Sequence, residues 1–113
     1  MEISERTSGN VTLVDLSGKL NMGDATQRLH DKVNSLLQQG RKNIVLNLAD
    51  VTSVDSGGLG ELVRTLTTMQ KHGGSLKVAS LPKRVQDLLV MTRLLTVFDT
   101  YEDEGAALKS FPG

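Results

Sequence analysis

The chain has 113 residues, thirteen basic and thirteen acidic side chains, no formal net charge and no cysteine. That length suits one domain spanning residues 1–113, with leucine and valine filling most of the core because aromatics are few. The balance excludes the basic footprint of a nucleic-acid binder, the missing cysteines exclude disulfides and thiol chemistry, and no apolar run approaches the roughly 20 residues that span a bilayer.

The first residues lack the apolar stretch of a secretion signal, so the expected location is cytoplasmic and no membrane partner is expected. Residues 1–7 read as a weak strand, and Ser8-Gly9-Asn10 as a turn. Val11 to Leu16 is β-branched at three of six positions, which predicts a second strand ending at Ser17-Gly18 and an N-terminal hairpin. Lys19 to Gly23 reads as a loop, with Asn21 or Asp24 suited to cap a helix from about Asp24 to Gln39. Ala25, Leu29, Val33, Leu36 and Leu37 share one face of that helix, and Gly40 suits the position just past its end.

Asn43 to Leu48 is an apolar run of strand length. After it, Leu59, Leu62, Val63, Leu66 and Met69 recur at helical spacing until Lys71-His72-Gly73-Gly74. Leu76 to Ala79 predicts another strand. Pro82 fits the first turn of a third helix whose inner face carries Val85, Leu88, Leu89 and Thr92. Leu95 to Phe98 reads as a last extended segment. Glu102-Asp103-Glu104 opens a final helix burying Ala107, Leu108 and Phe111. Strands joined through helices over short loops run parallel with right-handed crossovers. The expected architecture is α/β: a mixed sheet of four or five strands with about four helices, an N-terminal β-hairpin followed by βαβ units.

Asp55-Ser56-Gly57-Gly58-Leu59-Gly60 lies where the central strand turns into the second helix. The first N–H groups of a helix have no internal partner, and the macrodipole places partial positive charge there. A seryl oxygen, or a phosphate on it, is favoured at such a point. The same residues also fit a plain helix cap at Ser56, a cap or solvated turn residue at Asp55, and glycines serving only close packing. Ser53 is a weaker phosphoacceptor candidate because it precedes the helix.

The chain resembles a stand-alone STAS domain of the anti-sigma factor antagonist family. The resemblance rests on Gly18-Lys19-Leu20-Asn21, Ile44-Val45-Leu46-Asn47-Leu48, Val54-Asp55-Ser56-Gly57-Gly58-Leu59-Gly60, and Leu88-Leu89 with Thr92-Arg93-Leu94 and Phe98. It implies a protein without catalytic residues or cofactors that binds an anti-sigma factor and so frees a sigma factor. The anti-sigma factor would carry serine kinase activity and phosphorylate Ser56, and a serine phosphatase would reset the cycle. The implied partner surface comprises Asn21, Asp24, Asp55, Ser56, Gly57, Gly58, Leu59 and Gly60. The family commonly carries two hydroxyl residues in tandem after the aspartate; here Gly57 takes the second place and leaves Ser56 alone. The alternative is a constitutive STAS interaction module, a stress-signalling scaffold or transporter accessory subunit, with no phosphorylation cycle.

Rival enzyme classes fail on spacing. Gly60 is followed by Glu61 where a phosphate-binding loop needs lysine, and Gly58-Leu59-Gly60 is followed by Glu61-Leu62-Val63, so the dinucleotide fingerprint is absent. His30 and His72 are expected in solvent, and no motif joins them to a serine or a metal. A weak homodimer through an exposed sheet edge is allowed but not demanded.

Overall fold

In the computed structural model, residues 1–111 are described; among them are five strands and four helices. The strands are β1 (Glu2–Ser8), β2 (Val11–Leu20), β3 (Asn43–Val54), β4 (Ser75–Ala79) and β5 (Asp99–Tyr101). The helices are α1 (Asp24–Gln38), α2 (Ser56–Lys71), α3 (Lys83–Met91) and α4 (Glu104–Lys109). The sheet order follows the chain order, β1-β2-β3-β4-β5. Only β1 is antiparallel to its neighbour; β2 through β5 are parallel. The hairpin, the βαβ units and the α/β class are as the sequence predicts.

Alternation along β3 divides the apolar side chains between two faces. Ile44, Leu46 and Leu48 join Leu29, Val33 and Leu36 of α1, Leu62 and Met69 of α2, and Val85 and Leu89 of α3 in the larger core. Val45 faces the other way, with Val11, Leu13 and Ala79, and is covered by Ala107 and Phe111 of the C-terminal segment. On that second face Arg6 clamps Asp15 (2.7 Å) and Glu104 (2.6 Å), tying the hairpin to the start of α4. Asn47 of β3 also donates to Glu104, at 3.3 Å.

The helix ends follow their cap chemistry, with corrections. After α1, Arg41 N–H donates to Leu36 O at 2.9 Å and Gly40 N–H to Leu37 O at 3.0 Å, while Gly40 adopts φ +79°. That is a Schellman ending, and glycine is the residue that enters it without strain. At the other end of α1 neither Asn21 nor Asp24 is the cap. Gly23 takes that position, and Thr26 Oγ1 reaches back to accept from Gly23 N–H (3.1 Å) and donate to Gly23 O (2.9 Å). Pro82 caps α3 instead of entering its first turn. Thr92 is exposed and ends α3; its hydroxyl donates to Leu88 O at 2.8 Å. The last strand lies beyond the predicted Leu95–Phe98 segment, at Asp99–Tyr101. Residues 95–97 form a turn that seats Phe98 in the core, so apolarity there marks burial and not strand pairing.

Candidate functional site

β2 and β3 outrun their neighbours. β1 pairs with β2 only as far as Ser17, and β4 with β3 only as far as Asn47. The β2–β3 pairing continues to Leu20 opposite Val54. The predicted strand ends at Ser17-Gly18 and Leu48 are therefore too early. The register shifts between Asp15 and Ser17 and again between Gly18 and Lys19, and each shift places an extra residue in β3. At the first, Asn47 Oδ1 accepts from Ala49 N–H at 3.0 Å. Such bulges break the alternation that sequence reading relies on and sharpen the local twist. The resulting two-stranded extension carries the β2–α1 turn and the start of α2 at its tip.

Asp55 joins those two pieces. It is the cap of α2, with extended backbone, and its Oδ1 accepts from Gly58 N–H at 2.8 Å. Both carboxylate oxygens also face Met22 N–H in the β2–α1 turn, at 3.1 and 3.0 Å. The Gly58 amide above all, and then the Met22 amide, hold the Asp55 carboxyl below the ordinary aspartate range. With the capping place taken by Asp55, Ser56 is the first residue of α2 and is exposed to solvent. The simple alternative of Ser56 as the cap is thus excluded by geometry.

The three glycines of the motif have three different surroundings. A Cβ on Gly58 would lie 2.9 Å from the Leu20 carbonyl carbon and closer still to its oxygen, so the helix start rests on β2 backbone. A Cβ on Gly57 would lie 3.0 Å from Met22 Cα and collide with Met22 Cβ. A Cβ on Gly60 would meet nothing within 4 Å. Packing therefore explains Gly57 and Gly58 but not Gly60. Gly58 is buried and contributes through its amide; Leu59 is half-buried and packs against the larger core. Asp24, Asp55, Ser56 and Gly60 are exposed, and Asn21 is half-buried at the end of β2. Asp24 supplies the acidic charge in the first turn of α1.

A family model described as the STAS domain matches residues 2–107. The chain belongs to the STAS domain family. This STAS domain is 31% identical over 99 residues to the anti-sigma-B factor antagonist of Bacillus subtilis, covering 88% of this chain and 89% of that protein. It shares its fold with an anti-sigma factor antagonist from Mycobacterium paratuberculosis, with a TM-score of 0.81 at 21% identity over 96% of this chain and 92% of the other. It also shares its fold with the Bacillus cell fate determinant SpoIIAA in the phosphorylated form, with a TM-score of 0.73 at 15% identity over 97% and 100% of the two chains.

Sequence reasoning missed Met22. It is 72% exposed, yet its backbone is fixed by Asp55 and its side chain sits where a Gly57 Cβ would be. The only signal in the STAS sequence was an apolar residue set between Asn21 and Gly23 in a polar turn. His30 is half-exposed, 3.6 Å from Glu61 Oε2 in α2, a buried oxygen without a hydrogen-bond partner among the described residues. No helix among those residues is long and apolar enough to cross a membrane.

Proposed function

We propose that this STAS domain is a cytoplasmic anti-sigma factor antagonist that acts as one unit over residues 1–113 and has no enzymatic activity. Unphosphorylated, it binds an anti-sigma factor with serine kinase activity and thereby releases a sigma factor. That kinase phosphorylates Ser56 and ends the association; a serine phosphatase restores the binding form. The observation that carries this reading is an exposed seryl hydroxyl on the first residue of α2, beside a cap already supplied by Asp55. The names of the relatives support the same class of partner.

The electrostatics suit a switch at an interface. A phosphate on Ser56 adds about −1.5 to −2 charge at neutral pH. The helix N-terminus stabilises it, so the fold keeps its shape. A partner seated on Asp55 and Ser56 meets a new anion beside the Asp55 carboxylate. At about 1.4 kcal/mol per tenfold in affinity, a penalty of a few kcal/mol separates a micromolar complex. Gly57 is no obstacle to this reading, since Met22 fills the space its side chain would need.

The test is the intact mass of the protein from its own host, with and without phosphatase, followed by peptide mapping. One phosphatase-sensitive phosphate at Ser56 is the expected result. A single unmodified mass under every growth condition would leave the constitutive module as the function. In parallel, Ser56→Asp abolishes binding to the cognate anti-sigma factor with circular dichroism unchanged; equal binding by this variant refutes the switch.

A further inference from the structure

Met22 combines two properties that rarely meet. It is a large apolar side chain exposed to 72% of its surface, and it is held in place from two sides. Asp55 fixes its amide with both carboxylate oxygens, and the missing Cβ of Gly57 makes the seat for its Cβ and Cε. A flexible exposed methionine would lose rotamer and loop freedom on being bound, and a pre-positioned one loses less. Residues of this kind, apolar and ordered before contact, serve as anchors in protein interfaces. The same carboxylate that caps α2 therefore sets the distance between Met22 and the residue that follows it, Ser56.

We infer that Met22 is the apolar anchor by which the serine kinase recognises this chain as substrate, inserted into an apolar socket beside the kinase's phosphate-transfer centre. The inference rests on the function proposed above and adds the residue that sets specificity. Any kinase that brings a γ-phosphate to the Ser56 hydroxyl must approach the tip of the β2–β3 extension, where Met22 is the large exposed apolar side chain seated against Gly57, next to Ser56. Met91, also exposed, lines a cavity with Ser53, Val54 and Leu88 on the α3 side of β3, and Val90 and Val97 lie at the end of α3 and in the turn after it. Met22 takes no part in the transfer itself: the phosphoryl group leaves ATP for the Ser56 oxygen, and the hydroxyl proton goes to a base of the kinase. Its loss therefore weakens recognition and leaves the chemical step intact. Gly57 belongs to the same device, because a hydroxyl residue there would displace Met22.

The experiment measures label at Ser56 from γ-labelled ATP in extract of the host cell, over a range of concentrations of the full chain. Wild type, Met22→Ala, Met22→Leu and the blank Ser56→Ala are compared. For Met22→Ala the half-saturating concentration rises about tenfold or more, as loss of a buried methionine contact implies, while the plateau rate stays the same. Met22→Leu, apolar and of similar volume, stays within about twofold of wild type. Equal half-saturation for Met22→Ala and wild type overturns the anchor while the kinase-substrate reading stands. A fall in plateau rate with unchanged half-saturation also overturns it. Absence of label at Ser56 in the wild type overturns both.

Discussion

Alanine placed in turn at Gly57, Gly58 and Gly60 tests whether the start of α2 is shaped by packing against β2. In a helix each replacement gains about 0.8–1 kcal/mol from the backbone entropy that glycine would lose. At Gly60 nothing lies within 4 Å of the added methyl, so that gain stands alone. Melting should rise by about 4 °C, using about 4 °C per kcal/mol for a domain of this size. At Gly58 the methyl meets the Leu20 carbonyl, with the carbon at 2.9 Å, and Leu20 is fully buried. Backbone against backbone leaves no flexible group to give way. Overpacking of this severity costs about 3 kcal/mol. Set against the helix gain, the net loss is about 2 kcal/mol and about 8 °C in melting temperature. At Gly57 the methyl would collide with Met22 Cβ and lie 3.0 Å from Met22 Cα, atoms that side-chain rotation does not move and that Asp55 holds through the Met22 amide, so the loss exceeds the helix gain and Gly57→Ala is also destabilising, by about 1 kcal/mol. Thermal unfolding of the three variants by circular dichroism, with urea midpoints as a cross-check, reads the order directly. The same sign for Gly58→Ala and Gly60→Ala would refute the reasoning.

Arg93 ends α3 at φ +61° in a Schellman arrangement, with Leu94 N–H donating to Leu89 O at 2.8 Å and Arg93 N–H to Val90 O at 3.1 Å. Glycine removes the left-handed penalty, so Arg93→Gly should gain about 1 kcal/mol in urea unfolding; a loss would mean the arginine side chain supports the turn. Glu61 is 6% exposed, with no hydrogen-bond partner for Oε2 among the described residues, His30 at 3.6 Å and Arg64 at 3.9 Å. Replacing the buried unpartnered oxygen by an apolar side chain with Glu61→Leu should raise stability by about 1 kcal/mol, and a drop would show that the α1–α2 seam depends on that carboxylate. Asp55 has a lowered folded-state pKa, so its contribution is present above the unfolded value near 3.8 and is lost as pH falls through the folded value. Wild type should therefore melt above Asp55→Asn at pH 6, with the gap narrowing as pH falls below 3.8 and through the lower folded value; a constant gap down that range would exclude the charge as the cause. Glu104, its pKa lowered chiefly by Arg6, loses its contribution as pH falls from its ordinary value near 4.5 through its lower folded value, so the gap between wild type and Glu104→Gln should also narrow on acidification.

Much of this molecule is legible residue by residue. Apolar spacing alone locates α1 and α2, because a helical stripe of Leu29, Val33 and Leu36, or of Leu62, Leu66 and Met69, has no other periodicity that buries it. Gly40 marks the end of α1 because its left-handed turn tolerates few other residues. The parallel order of β2, β3 and β4 follows from short connections through helices. The phosphoacceptor candidate was also visible, as a serine between a strand pattern and a helix pattern.

What tertiary structure decided is the tip of the sheet. The β2–β3 extension runs through bulges, where two residues face one and no period survives to be read. Asp55, a cap candidate in the chain, becomes a joint between two elements because only the folded turn brings Met22 N–H, 33 residues away, to the carboxylate that Gly58 N–H, 3 residues away, meets locally. Gly57 looks in the chain like a missing hydroxyl; in the fold it is the space that Met22 occupies. Local sequence specifies which elements form, because their periodicity and caps are short-range. Contacts between β2, the β2–α1 turn and α2 are long-range, and they alone determine which face of the motif meets solvent and which is held against the sheet.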